Sequence, residues 1–117
     1  MTAFGKYIKS QREKLYKNNK SFSLRGVAKK AEIQASYLSK IERGLQPPPG
    51  EDSIKRLSKT LNEDSDILLA LAGKISSELQ SIILKRPQLF SKIINEIKTL
   101  PDHAILNIVR EVRDGEW

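Results

Sequence analysis

The chain has no cysteine among its 117 residues. Disulfides and thiolate metal sites are thereby excluded, which suits a reducing compartment without establishing one. There is one histidine, His103, and no Gly-rich phosphate loop, so an enzyme, a metal site and a cofactor are all unexpected. No run approaches the roughly 18 apolar residues of a membrane span. The opening MTAFGKYIKSQREK carries charge where a secretory signal would need an apolar stretch, so a cytoplasmic location is expected. Repeats and low-complexity tracts are missing too. What remains is room for one domain, or a small domain with an appendage.

Positive charge is plentiful and unevenly spread. The net charge is +7; residues 1–62 carry 14 Lys/Arg against 5 Asp/Glu, and residues 63–117 carry 7 against 9. The positive field therefore belongs to the first half, where it would attract phosphate. The plainer alternative is a basic surface that only aids solubility.

The hydrophobic pattern is helical throughout. Residues 2–15 place Phe4, Tyr7, Ile8 and Leu15 on one stripe. Residues 16–22 read as an exposed loop. Ser23 caps a helix over 24–31, a second helix runs over 34–43, and Gly44 suits the left-handed position after it. Pro47-Pro48-Pro49-Gly50 forms a stiff connector. A fourth helix opens on Glu51 and Asp52 and buries Ile54, Leu57 and Leu61. A fifth, capped by Asp64 and stopped by Gly73, is apolar nearly all round at Ile67–Ala72 and should be covered on several sides. The expected division is 1–73 and 74–117, the latter holding three short amphipathic helices. In it Ser77 and Gln80 form a capping-box pattern, Pro87 opens a helix with the stripe Leu89, Phe90, Ile93, Ile94 and Ile97, and Pro101 opens another with Ile105, Ile108, Val109 and Val112.

The segment Ser23–Gly44, SLRGVAKKAEIQASYLSKIERG, is the most informative. Two short helices joined by a tight turn can cross closely only over small or well-shaped apolar residues, here Ala28, Ile33, Leu38 and Ile41. The opposite side of the second helix presents Ser36, Ser39, Lys40 and Arg43. Short serines can approach base edges, while Lys40 and Arg43 reach guanine acceptors or phosphates. A helix fits the major groove, and its first residues, Gln34, Ala35 and Ser36, would enter deepest.

On these residues the chain resembles the lambda-repressor/Cro-like family of helix-turn-helix transcriptional regulators. SYLSKIERG, residues 36–44, is close to that family's recognition-helix pattern, and the likeness extends over about residues 4–72. The resemblance implies an all-α fold, a five-helix lambda-repressor-like DNA-binding domain followed here by a small three-helix C-terminal unit. It implies that Ala35, Ser36, Ser39 and Lys40 face bases, that Arg25 and Arg43 touch phosphate, and that Arg12 pairs with Glu42. It also implies operator binding as a homodimer. The chain departs from the family at Leu24, where Gln is usual, and at Glu32, where Gly is usual and the backbone angle is unusual. It departs as well in the longer loop 16–22.

Several residues keep two readings. Lys17 and Lys20 reach DNA backbone or are merely solvated. Tyr37 stacks on sugar-phosphate or covers the domain, and Arg43 holds phosphate or only stabilises its helix end. Asp64 and Asp66 look like capping and His103 like an ordinary helix-start residue. Trp117 packs on the core, packs across a dimer or serves as a handle for a partner. Five helices already suffice for the DNA-binding domain, so Leu89, Phe90, Ile93, Ile97, Ile105, Val109 and Val112 are expected to form a dimer surface rather than finish a monomer core. The leading function is a DNA-binding repressor, suited to a phage or mobile element. The alternative is an antitoxin whose C-terminal half binds a toxin. The C-terminal unit also resembles repressors cleaved by a partner peptidase.

Overall fold

The computed structural model describes residues 3–117. The ordered elements among them are α1 (Ala3–Tyr16), α2 (Leu24–Lys30), α3 (Ala35–Glu42), α4 (Glu51–Thr60), α5 (Ser65–Leu71), α6 (Ser77–Lys85), α7 (Pro87–Ile97) and α8 (Asp102–Asp114), with a 3-10 turn at Lys20–Phe22. The chain is all-α, five helices followed by three, as its pattern implies. Thr2, where the first helix was expected to start, lies outside the described residues. Two compact units part at Ser77 and Glu78, a few residues past the expected boundary at Gly73.

The first unit closes around one core. Phe4 and Ile8 from α1, Val27 and Ala28 from α2, Leu38 and Ile41 from α3, Ile54 and Leu57 from α4, and Leu68 and Leu69 from α5 are all buried, joined by Ala31 and Leu61 just past helix ends. Each large apolar side chain removed from water here contributes about 1.5–3 kcal/mol. Tyr7 and Leu15 sit at the edge of this core, half-buried. The Tyr7 hydroxyl donates to Glu63 Oε2 at 3.1 Å, and burial with that carboxylate raises the phenol above its usual pKa.

Three local expectations change. Residues 16–22 are not simply loop, because Asn19 Oδ1 accepts from the Ser21 amide and caps the 3-10 turn that brings Phe22 against the core. α5 is covered on one side only: Leu68 and Leu69 are buried while Ile67 is exposed. It is just seven residues long, so a single docked face satisfies it. Ser77 is the first residue of α6 and not its cap, since its amide and hydroxyl both donate to the Glu51 carboxylate, at 3.0 and 2.8 Å. Hydrogen bonds from Lys55 and Ser77 hold Glu51 below the usual carboxylate pKa. That link is therefore intact above the ordinary carboxylate range and is lost as pH falls through the lowered value.

Two glycines that the pattern did not single out stand where another backbone passes close by. A Cβ on Gly26 would collide with the carbonyl oxygen of Ser21, and one on Gly5 with that of Ile41. Gly5 thereby lets α1 lie against the end of α3, and Gly26 lets α2 lie against the segment before it.

The second unit has no closed core. No residue from Glu78 to Trp117 is buried; Phe90, Ile97 and Ile105 are half-covered, and Leu89, Ile93, Val109 and Val112 are more than half exposed. Leu89, Ile93, Ile97 and Ile108 line an open apolar depression of about 390 Å³ edged by Lys92 and Glu96. Trp117 donates from Nε1 to the Val112 carbonyl at 3.0 Å and leaves its ring in solvent.

Candidate nucleic-acid interface

Of the two motif helices, α2 is capped at both ends and α3 at its C-terminal end. Ser23 Oγ accepts from the Gly26 amide at 3.0 Å and starts α2. After α2 the chain turns through Glu32, whose φ of 59° is left-handed. The Glu32 amide donates to Lys29 O and the Ile33 amide to Ala28 O, the paired bonds of a helix C-terminus that normally favours glycine. The expected strain is thus present, about 1–3 kcal/mol for a non-glycine residue in such a conformation. α3 ends in the same way at Gly44, φ 75°, with Gly44 N–H donating to Ile41 O and Leu45 N–H to Lys40 O.

α3 turns Leu38 and Ile41 inward and leaves Gln34, Ser36, Lys40 and Arg43 exposed. Ser39 is half-buried between them. The Gln34 side chain makes no capping bond. Ala35 and Tyr37 are half-buried like Ser39, and both pack against the core. Arg43 Nε reaches the Ser39 carbonyl at 3.3 Å, within its own last turn. A shallow groove of about 460 Å³ runs beside the helix, lined by Glu32, Ile33, Gln34, Ser36, Tyr37, Lys40 and Gln46. Gln46 was not anticipated, since nothing in its spacing marks a residue beyond the helix end.

The flanking cations differ in their freedom. Arg25, at the start of α2, and Lys17 are exposed. Lys20 lies over the Tyr16 ring, its Nζ 4.3 Å from the centroid. The lysines of α1, Lys6, Lys9, Lys14 and Lys17, border a second open depression together with Ser10 and Glu13. Leu24, where a polar residue would support the recognition helix, is half-buried against the core instead.

Arg12 and Glu42 form a two-point ion pair. Nε donates to Oε2 at 2.8 Å and Nη2 to Oε1 at 2.9 Å, with side chains only 12% and 4% exposed. These hydrogen bonds to Glu42 raise the guanidinium above its usual pKa despite burial. The pair fastens α1 to the last turn of α3. Among the described residues no group of His, Asp and Glu side chains is arranged to hold a metal ion, and no helix is long and apolar enough to cross a membrane.

Comparison with known proteins agrees with this geometry. The helix-turn-helix family description matches residues 8–68. The HTH-type transcriptional regulators SinR of Bacillus licheniformis and Bacillus subtilis (strain 168) are each 34% identical over 79 residues, spanning 62% of this chain and 71% of theirs. The HTH-type transcriptional regulator SlrR of Bacillus subtilis is 40% identical over 48 residues, 41% of this chain and 32% of its own. No solved structure gives a significant match. The chain belongs to the lambda-repressor/Cro-like helix-turn-helix family and is a DNA-binding transcriptional regulator.

Proposed function

We propose that the protein is a repressor that binds a palindromic operator as a homodimer, one α3 in the major groove of each half-site. Gln34, Ala35, Ser36, Ser39 and Lys40 face the bases, with Ala35 limited to close apolar contact by its half-burial. Arg25, Arg43, Tyr37, Lys17 and Lys20 serve the phosphates. The observation that carries the homodimer is the apolar surface of α7 and α8, left open in a unit with no buried residue. A single helix offers few base contacts, so pairing two half-sites roughly 34 Å apart supplies the specificity one copy lacks. A dimer seated across a promoter represses by occupying it.

Selection from random duplexes tests this reading, with a palindrome of one-turn half-site spacing as the expected product. On that duplex, Ser36→Ala, Ser39→Ala and Lys40→Ala combined are expected to remove several contacts of about 1–3 kcal/mol each. Unchanged affinity after the triple substitution would overturn the assignment of the reading face. Selection of a lone half-site would overturn the palindrome.

A further inference from the structure

We infer that Arg56, on α4, is a positioning residue that sets the angle of the reading helix and hence sequence discrimination, without itself contacting DNA. The inference rests on the proposed reading by α3. The guanidinium spans two elements. Nη2 donates to Ser53 Oγ one turn earlier in α4 at 3.1 Å, while Nε donates to the Ala31 carbonyl at 2.9 Å and lies 3.5 Å from Glu32 Oε2. Ala31 and Glu32 are the turn between α2 and α3.

That turn has a particular need for an outside partner. Ala31 closes α2, so its carbonyl is among those that lack an acceptor role within the helix. Ala31 is fully buried with Arg56 in place, so in the folded chain the guanidinium rather than water satisfies that carbonyl. The next residue, Glu32, holds a left-handed backbone without being glycine. Arg56 answers both conditions at once, bonding the buried carbonyl and facing the carboxylate of the strained residue. Three residues after Glu32 the reading helix begins. A small change in the turn is therefore amplified along α3, where base contacts tolerate little displacement. Arginine suits the position because its planar fork donates in two directions from a side chain already anchored on its own helix.

Two substitutions and two readouts test the assignment. Arg56→Met keeps the aliphatic stem but removes the donors, and Arg56→Lys keeps the charge but removes the fork. In the free protein, hydrogen exchange at the Ile33 amide, which closes the turn onto Ala28 O, is expected to quicken in both variants. Amides of Leu57 and Leu68 should keep the parent's protection. With the selected operator and an unrelated duplex at matched salt, the ratio of specific to non-specific affinity is expected to fall roughly tenfold in both variants, the equivalent of one charge-assisted hydrogen bond. Non-specific affinity and the salt slope should stay those of the parent. Full recovery of the ratio by Arg56→Lys, or an equal loss on both duplexes with a slope reduced by about one, would mean that Arg56 acts as a phosphate contact and would overturn the inference. Unchanged exchange at Ile33 in both variants would overturn it as well. Should selection return no preferred duplex, the proposed function fails while the exchange measurement still decides the role of Arg56.

Discussion

Arg12→Ala is expected to lower the stability of the first unit by about 3–5 kcal/mol, because it strands a buried carboxylate. Glu42 is only 4% exposed and both its oxygens are occupied by Arg12, so removal of the cation leaves the anion with neither partner nor solvent. Against a total stability of about 5–15 kcal/mol for a domain of this kind, the loss should lower the melting temperature by more than about 10 °C. Thermal denaturation followed by circular dichroism measures it. Replacing both partners together, Arg12→Met with Glu42→Leu, should restore much of the stability, since an apolar pair of similar volume leaves nothing unsatisfied. A loss below about 1 kcal/mol in Arg12→Ala, the figure for an exposed pair, would show that water reaches Glu42 and that the pair is not what fastens α1 to α3.

The second large effect concerns the C-terminal helices. Ile93→Asp with Val109→Asp places two carboxylates on the proposed shared surface, where both parent side chains are about half exposed in the single chain. Light scattering should then report a monomer, and affinity for the full palindrome should fall roughly 10²–10⁴-fold as the second binding event stops being intramolecular. Affinity for a single half-site should stay close to that of the parent, because α3 and its supports lie outside the change. If the doubly substituted chain remains dimeric, the pairing surface is elsewhere. If the parent chain is monomeric at high concentration, there is no such surface.

The parts of this structure legible in the sequence are those that repeat along a helix or punctuate its ends. Leu38 and Ile41 announce a buried face through their spacing, Ser23 and Asp64 announce caps, and Gly44 and Gly73 announce left-handed stops. Glu32 stood out only through the family resemblance, which usually has Gly there; that this turn keeps the left-handed angle and is not built differently is seen in its φ of 59°. The interactions that were not legible cross between elements and leave no period. Arg56 bonds a carbonyl 25 residues earlier, and from the sequence it is one more basic residue on an amphipathic helix. Gly5 and Gly26 are necessary only because another backbone passes close by. Ser77 fits a capping motif well, yet Glu51 lies near enough to take both its donors, a contact no local pattern encodes. The half-burial of Ala35 and Tyr37 against the core was likewise not legible, since a helical wheel gives direction but not the height of the surrounding wall.

The absence of any buried side chain from Glu78 to Trp117 bears on how the regulator disappears from a cell. Segments of about 40 residues rarely hold a fold without outside support, so on the proposed dimer it is the second copy's cover that would keep the helices of this unit in place. If that dimer forms, scarcity of copies would separate the pairs and open those faces to proteases, whose rate follows the population of the open form. Scarcity would then hasten removal, and a modest dilution would become a steep decline. The proposed dimer would in this way tie the protein's lifetime to its abundance, through a surface that has no interior of its own.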